Sequence, residues 1–266
     1  MPSLPLFQVD AFTSQPFSGN PAGVVLLMEP KSDEWMVAVA CEMNLSETAF
    51  LLAEGDVYHL RWFTPAVEVT LCGHATLASA HMLWEQGILP SGQIAKFETL
   101  SGRLTAERCP DGWIALNFPA RFTDIVEPPP GLLQALGLGN ALYVGRYKED
   151  YLVEVEDENQ VRSLSPDFSR LKAVKSRGVV VTAHTRMPGY DFISRFFTPA
   201  AGVNEDPVTG SAHCALAPYW AQKLNKTDLR AFQASARGGE LRLKHLGERV
   251  QLEGQAVTIF EATLKV

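Results

Sequence analysis

The sequence predicts an α+β protein made of two similar halves, and three observations support that prediction. The chain has 266 residues, near the upper limit for one compact core and enough for two domains of about 120–140 residues. Phe-Thr-Pro-Ala occurs at 63–66 and again at 197–200, so the two copies start 134 residues apart. Each copy precedes a glycine that opens a predicted helix, Gly73 in the first and Gly210 in the second. Such a repeat indicates two equivalent structural units.

The first half reads as several strands around one or two helices. Ser32, followed by two acids, predicts a helix N-terminus, and Asn44 predicts its end. A second helix opens at Gly73, continues through strong helix formers and stops at Gly87. We expect the first helix to bury an apolar face of Trp35, Val39 and Met43. Strands are predicted over 6–12, 24–27, 45–52, 58–63, 68–71, 97–100, 104–107 and 113–118.

The second half repeats this organisation after a proline-rich segment. Residues 119–131 read PARFTDIVEPPPG and lack periodicity, which predicts an extended connector. We therefore expect domains over 1–120 and 131–255, with the last strand, 256–266, as a candidate addition to the first. A helix is predicted from Ser211 to Leu224, and Pro218 should bend it or shorten its regular part. Strands are predicted over 142–144, 151–155, 179–183, 191–197, 241–244 and 250–253.

Composition excludes several classes of function. The 23 Lys and Arg residues are scattered and the net charge is −7, so nucleic acid is not an expected partner. The apolar runs are too short to span a membrane, and the amino-terminal stretch lacks the features of a secretory signal. The four cysteines form no Cys-x-x-Cys pair and the six histidines show no metal-ligand spacing. We expect a cytoplasmic protein with no cofactor and no metal.

The two glycine-opened helices suggest a binding site. A helix N-terminus has unpaired backbone N–H groups and a partial positive charge, so two of them facing one cleft would hold a carboxylate. Gly73 and Gly210 would let that ligand approach the backbone closely. The alternative is that both glycines are only turn residues.

Polar residues that differ between the two copies are the candidates for chemistry. His74 follows the first glycine, whereas Ser211 follows the second and Glu205-Asp206 precedes it. His74 could transfer a proton near neutral pH, or simply start the helix. Ser211 could be an N-cap, with or without a role in the site.

Glu47 is the remaining unusual residue, because it lies in the otherwise apolar run 45–52 between two hydroxyl residues. Burial would raise the pKa of its carboxyl group toward neutrality and suit it to general acid–base catalysis. The alternative is an exposed Glu on the polar face of a strand.

Five motifs together resemble the phenazine-biosynthesis PhzF-like isomerase family. They are Asp10-Ala-Phe12 with Phe17-Ser-Gly-Asn-Pro21, Asn44-Leu-Ser-Glu-Thr48, Arg61-Trp-Phe-Thr-Pro65, Leu71-Cys-Gly-His-Ala-Thr-Leu77 and Glu205-Asp-Pro-Val-Thr-Gly-Ser-Ala212. The resemblance covers nearly the whole chain. It implies a diaminopimelate-epimerase-like fold, in which two domains each wrap a curved, mostly antiparallel sheet around a central helix.

The resemblance also implies the chemistry. Glu47 would be the acid/base that carries a proton between carbon atoms, and His74, Asp206 and Ser211 would complete the catalytic group. The backbone of Gly73 and Gly210 would bind the substrate carboxylate, and Asn20 lies in a family motif and would also contact substrate. The family is commonly dimeric, which implies a homodimer.

Related epimerases place one thiol before each cleft glycine. Here Cys72 precedes Gly73, but Thr209 precedes Gly210 and cannot act as a thiolate base. We therefore expect an isomerase that moves a proton, and with it a double bond, in a small carboxylate-bearing metabolite. A racemase or epimerase that uses Cys72 and a non-catalytic binding protein are the alternatives.

Overall fold

A computed structural model describes residues 3–265, so the ends of the predicted domain ranges at Met1, Pro2 and Val266 lie outside it. The chain divides into two compact units. The first unit runs to Phe118 and resumes at Leu252, and the second is Pro119–Gln251.

The elements alternate between strands and a few helices. Up to residue 119 they are β1 (Ser3–Ala11), β2 (Asn20–Leu27), α1 (Asp33–Met43), β3 (Glu47–Glu54), β4 (Val57–Phe63), β5 (Glu68–Val69), α2 (Gly73–Glu85), β6 (Ala95–Thr99), β7 (Gly102–Arg108) and β8 (Ile114–Pro119). They continue with β9 (Asp124–Ile125), α3 (Leu132–Leu136), β10 (Tyr143–Tyr147), β11 (Asp150–Glu154), α4 (Glu158–Ser163), α5 (Phe168–Ala173), β12 (Gly178–His184), β13 (Phe192–Thr198), β14 (Val203–Asp206), α6 (Gly210–Leu224), β15 (Asp228–Gln233), β16 (Gly239–Leu246), β17 (Arg249–Gly254) and β18 (Ala256–Lys265).

The first unit is a mixed sheet with a buried helix. Strand β1 pairs antiparallel with both β18 and β2, and β2 runs parallel to β3. The sheet continues with β3 antiparallel to β4, β4 parallel to β6, and β6 antiparallel to β7. Helix α2 is buried along almost its whole length, including all residues from Gly73 to Ala80. It is therefore the central helix of this unit.

The second unit has the same strand order. Strand β10 pairs antiparallel with β9 and β11, and β11 runs parallel to β12. The sheet continues with β12 antiparallel to β13, β13 parallel to β15, and β15 antiparallel to β16. Helices α4 and α5 occupy the connection that α1 occupies in the first unit, and α6 is the buried helix. The predicted pair of equivalent α+β units is thus confirmed.

Two ion pairs repeat along with the strands. Arg61 on β4 donates through Nε and Nη2 to both carboxylate oxygens of Glu68, at 2.7 and 2.6 Å. Arg195 on β13 donates in the same way to Glu205, at 2.7 and 2.8 Å. Each guanidinium also lies over the phenylalanine of its own Phe-Thr-Pro-Ala segment, 5.0 and 4.9 Å from the ring centroid. The repeat therefore extends to the side chains that connect β4 to β5 and β13 to β14.

The predicted ends of α1 are confirmed, and its predicted apolar face packs against the core. Ser32 Oγ accepts a hydrogen bond from the Trp35 amide at 3.3 Å, and Asn44 ends the helix at φ 50°. The buried residues are Met36, Val39 and Ala40, whereas Trp35 is only half-buried. Trp35 and Met43 nevertheless pack against the same core cluster as Val39.

Residues 119–131 differ from the predicted connector. They belong to the second unit, and Asp124–Ile125 forms β9 against β10. The short helices α3, α4 and α5 have no counterpart in the sequence prediction, because each has only five or six residues.

Helix α6 continues through Pro218 as one element. Proline has no N–H to donate to the carbonyl four residues earlier, which is that of Cys214. The Arg121 amide donates to that carbonyl instead, at 2.9 Å. The expected cost of an internal proline is therefore partly offset by a hydrogen bond from the segment that precedes β9.

No helix within residues 3–265 is long and apolar enough to cross a membrane. All four cysteines lie in this range, and no disulfide joins any two of them.

Candidate active site

The N-terminus of α2 brings four of the predicted residues together in the first unit. Cys72 is extended, at φ −141° and ψ 114°, and Gly73 and His74 are the first two helical residues. Glu47 is the first residue of β3, where it pairs with Ala22 of the parallel strand β2. Asn20 is the first residue of β2. Because β2 and β3 run parallel, their first residues lie at the same edge of the sheet.

His74 is at the centre of this group. Its Nε2 lies 3.4 Å from Glu47 Oε2, and its Nδ1 lies 3.2 Å from Asn20 Nδ2 and 3.5 Å from Cys72 Sγ. The imidazole is almost completely buried, with 5% of the side chain exposed, whereas 20% of the Glu47 side chain is exposed. Glu47 is therefore accessible to a ligand from solvent, whereas His74 lies on the buried side of Glu47.

The protonation of His74 follows from its environment. Burial lowers the pKa of His74 to about 3, so the ring is neutral at ordinary pH. Asn20 Nδ2 can only donate, so Nδ1 is an acceptor and the single ring proton is on Nε2. That N–H lies near the Glu47 carboxylate but makes no hydrogen bond to it in this structure. At 3.4 Å the contact is long, and such contacts in ligand-free active sites often shorten when substrate binds.

The N-terminus of α6 is held by a separate network in the second unit. Thr209 is the N-cap, and its Oγ1 donates to Asp206 Oδ2 at 2.5 Å. Gln233 is fully buried and connects the two sides of the turn. Its Oε1 accepts from the Thr209 amide at 2.8 Å, and its Nε2 donates to the Asp206 carbonyl at 2.7 Å. This network fixes the segment that positions Gly210.

Ser211 is not the N-cap of α6, because Thr209 occupies that position. Ser211 is instead the second helical residue, and its Oγ accepts a hydrogen bond from Arg177 Nη2 at 3.3 Å. Arg177 is bound in turn to Asp150, with Nε donating to Oδ1 at 2.9 Å and Nη2 to Oδ2.

Sequence reasoning did not find Arg177, Asp150 or Gln233. Arg177 lies in a charged stretch, Lys-Ser-Arg, that reads as an ordinary surface loop. Only the pairing of β12 with β11 and β13 reveals its neighbours.

Glu47, Cys72 and His74 also form a set of possible metal ligands, with one ligand atom from each within 4.8 Å of the others. A carboxylate, a thiolate and an imidazole suit a borderline cation such as Zn²⁺. However, Cys72 and Glu47 approach opposite ring nitrogens of His74, and Asn20 donates to the one beside Cys72. The arrangement fits a hydrogen-bonded catalytic group better than a metal centre.

The strand order and the two buried helices place this protein among those with a diaminopimelate-epimerase-like fold. A solved structure described as a predicted epimerase from Pseudomonas aeruginosa shares the fold, with a TM-score of 0.78 at 20% identity over 99% of both chains. The fold class is one of two similar α+β units.

The chain belongs to the PhzC-PhzF family of phenazine biosynthesis-like proteins, whose family model matches residues 9–262. It is 52% identical, over 99% of both chains, to a protein of Halalkalibacterium halodurans described as an uncharacterised isomerase. The crystal structure of a PhzF-family phenazine biosynthesis protein from Enterococcus faecalis matches with a TM-score of 0.93 at 39% identity, covering 100% of both chains.

Proposed function

We propose that this isomerase moves a proton, and thereby a double bond, in a small carboxylate-bearing metabolite, without a cofactor, in a cleft between the two units. The observation that best supports the proposal is the contact of Glu47 with the neutral, buried His74 at the N-terminus of α2. A partly exposed carboxylate beside a fixed donor can take a proton from carbon and return it.

In this proposal the Glu47 carboxylate removes a proton from a carbon conjugated with the substrate carboxylate. Negative charge then develops on the substrate, and the amides of Gly73 and Gly210 stabilise it together with the partial positive charge of both helix N-termini. Protonated Glu47, which is partly exposed and can exchange its proton with solvent, next delivers a proton to another carbon on the same face. No redox change and no external reactant are needed.

The remaining residues have supporting roles. His74 Nε2 lies 3.4 Å from Glu47 Oε2, and we expect it to donate to that carboxylate and orient it once substrate binds. Asn20 fixes the His74 tautomer through its contact with Nδ1. This role is additional to the substrate contact that was expected of Asn20. Asp206 and Ser211 would complete the site from the second unit. Thr209 and Gln233 hold Asp206 in place through hydrogen bonds.

A solvent exchange screen tests the proposal. A library of amino and cyclic carboxylic acids is incubated with the enzyme in D₂O, and deuterium incorporation and double-bond position are read by NMR. We expect one acid to exchange and to change its double-bond position. Turnover that survives exhaustive dialysis against a chelator would support a reaction without a metal, and its loss would contradict it.

Variants assign the base. Glu47→Gln should lower the rate about 10²–10⁴-fold without loss of folding. Glu54→Gln is the matched control, because Glu54 ends the same strand and is exposed. Wild-type turnover in Glu47→Gln would reject the assignment.

Two alternatives remain open to the same experiments. Cys72 Sγ lies near His74 Nδ1, which favours a racemase or epimerase that uses this thiol. If Cys72→Ala abolishes turnover and Glu47→Gln retains it, the results favour the thiol-dependent racemase or epimerase. A non-catalytic binding protein would bind a carboxylic acid and exchange none of its C–H protons.

The family resemblance also leads us to propose a cytoplasmic homodimer. Sedimentation analysis should give twice the mass of the chain, which is 29.2 kDa for one copy.

A further inference from the structure

Arg177 occupies a position that nothing in the proposed function uses. It directly precedes β12, and its guanidinium is clamped by Asp150, whose side chain is only 4% exposed. The Arg177 side chain is 43% exposed and stacks on Phe196, with 5.4 Å from the guanidinium carbon to the ring centroid. A buried carboxylate therefore holds a cation at a place that solvent can reach.

Strand register shows where this cation stands in the internal repeat. Phe63 pairs with Thr48, and its repeat equivalent Phe197 pairs with Val179. Glu47 therefore corresponds to Gly178, the residue next to Arg177. The same match follows from the parallel pairs, Ala22 with Glu47 and Asp150 with Gly178.

An acid like Glu47 fits the equivalent place in the second unit only if Phe196 moves. A Cβ at Gly178 would lie 2.3 Å from the tip of the Phe196 ring, so the ring would have to shift. Instead Arg177 contacts the second residue of α6, Ser211, as Glu47 contacts the second residue of α2, His74. The repeat thus carries an acid in one unit and a cation in the other.

The hydrogen-bond direction between Arg177 and Ser211 has a chemical result. A guanidinium has only donors, so Ser211 Oγ must accept from Arg177. The Ser211 proton is then available to donate to another acceptor. A hydroxyl that already accepts from a cation is also a stronger donor, because hydrogen bonds in a chain polarise one another.

We propose that Arg177 is a positioning residue, which is fixed by Asp150 and directs the Ser211 hydroxyl proton toward the substrate carboxylate. The inference rests on the proposed function only in assigning that carboxylate to the reacting molecule. The positive charge of Arg177 behind the Ser211 hydroxyl favours an anionic acceptor, so a carboxylate should bind more tightly than its neutral amide.

Binding of a probe tests the inference without turnover. The probe is 4-fluorobenzoate, its neutral counterpart is 4-fluorobenzamide, and both are titrated into the full-length protein by ¹⁹F NMR. We expect wild type to prefer the benzoate, and Arg177→Met and Ser211→Ala each to weaken benzoate binding about tenfold. The double variant should be no weaker than either single one, because Arg177 acts through Ser211. Arg170→Met, an exposed arginine on α5, is the matched control.

Arg177→Met leaves Asp150 buried without its cation, so a double variant with Asp150→Asn and Arg177→Gln guards against misfolding. It should fold and show the same loss of benzoate binding. Arg177→Lys should not rescue binding, since a single ammonium cannot bridge Asp150 and Ser211 as the guanidinium does.

The outcomes separate the two proposals. Additive losses in the double variant, unchanged benzoate binding in Arg177→Met, or a wild type that does not discriminate benzoate from benzamide would overturn the inference. If the probe results hold but no acid exchanges deuterium, the inference stands and the proposed isomerisation fails. For an acid that does turn over, Arg177→Met should change KM by the same factor as Ser211→Ala does. The two variants should likewise change kcat by the same factor.

Discussion

Replacing His74 by Asn should remove a pH dependence from the stability of this protein. The pKa of His74 is lowered to about 3 by burial, from 6.5 in an exposed ring. A depressed folded-state pKa means that the stabilisation is fully present above pH 6.5 and is lost as pH falls toward 3, because the unfolded chain binds a proton that the folded one excludes. Asn keeps an amide donor near Glu47 but cannot titrate.

The magnitude follows from the shift. Below pH 6.5, each pH unit lowers the free energy of unfolding by about 1.4 kcal/mol through His74 alone. Relative to pH 7.5, wild type should lose about 1 kcal/mol more than His74→Asn at pH 5.5, and about 3 kcal/mol more at pH 4.5. Subtracting the free energy of unfolding of the variant from that of wild type cancels the contribution of the carboxylates that titrate in both proteins.

Urea unfolding followed by tryptophan fluorescence at pH 7.5, 5.5 and 4.5 measures this difference. His213, whose pKa burial lowers to about 4, offers a second and independent case in the other unit. His74→Asn with His213→Asn should therefore show about twice the effect. The free energy of unfolding of wild type minus that of the variant should fall with pH. If this difference stays constant, or grows as pH falls, folded His74 is charged and paired with Glu47. The role of His74 as a neutral donor would then be wrong.

Two further predictions concern the framework. Gly254→Ala should lower the free energy of unfolding, measured by calorimetry, by about 1–3 kcal/mol, because the new Cβ would lie 2.4 Å from the Phe12 ring. Gly92→Ala is the control, because a Cβ at Gly92 meets nothing within 4 Å. Glu205→Gln should cost about 1–3 kcal/mol in urea unfolding by leaving Arg195, with 12% of its side chain exposed, without its carboxylate, and equal stability of the variant would show that the pair contributes nothing.

Much of the fold was predictable because the signals are local and repeated. Phe-Thr-Pro-Ala and the following glycine mark the same strand-to-helix connection in both halves, and Ser32 and Asn44 mark the ends of α1 through their own backbone chemistry. The family resemblance also implied that Glu47 and His74 share one site, and the two side chains lie 3.4 Å apart where β3 and α2 begin.

The rest depends on contacts that sequence spacing does not reveal. Arg177 and Ser211 are far apart in the chain and meet only through the register of β12. The tolerance of Pro218 depends on an amide from Arg121, which lies in a segment that sequence alone describes as a connector. The N-cap of α6 could not be assigned because Thr209 and Ser211 are both good capping residues.

The pairing of β1 with β18 has a consequence for biosynthesis. Nine residues of β1 have partners in the final strand, so one side of β1 lacks hydrogen-bond partners until residues 256–265 leave the ribosome. The whole of Pro119–Gln251 is translated before that moment. We expect the second unit to fold on the nascent chain while the first, although begun earlier, waits for its closing strand.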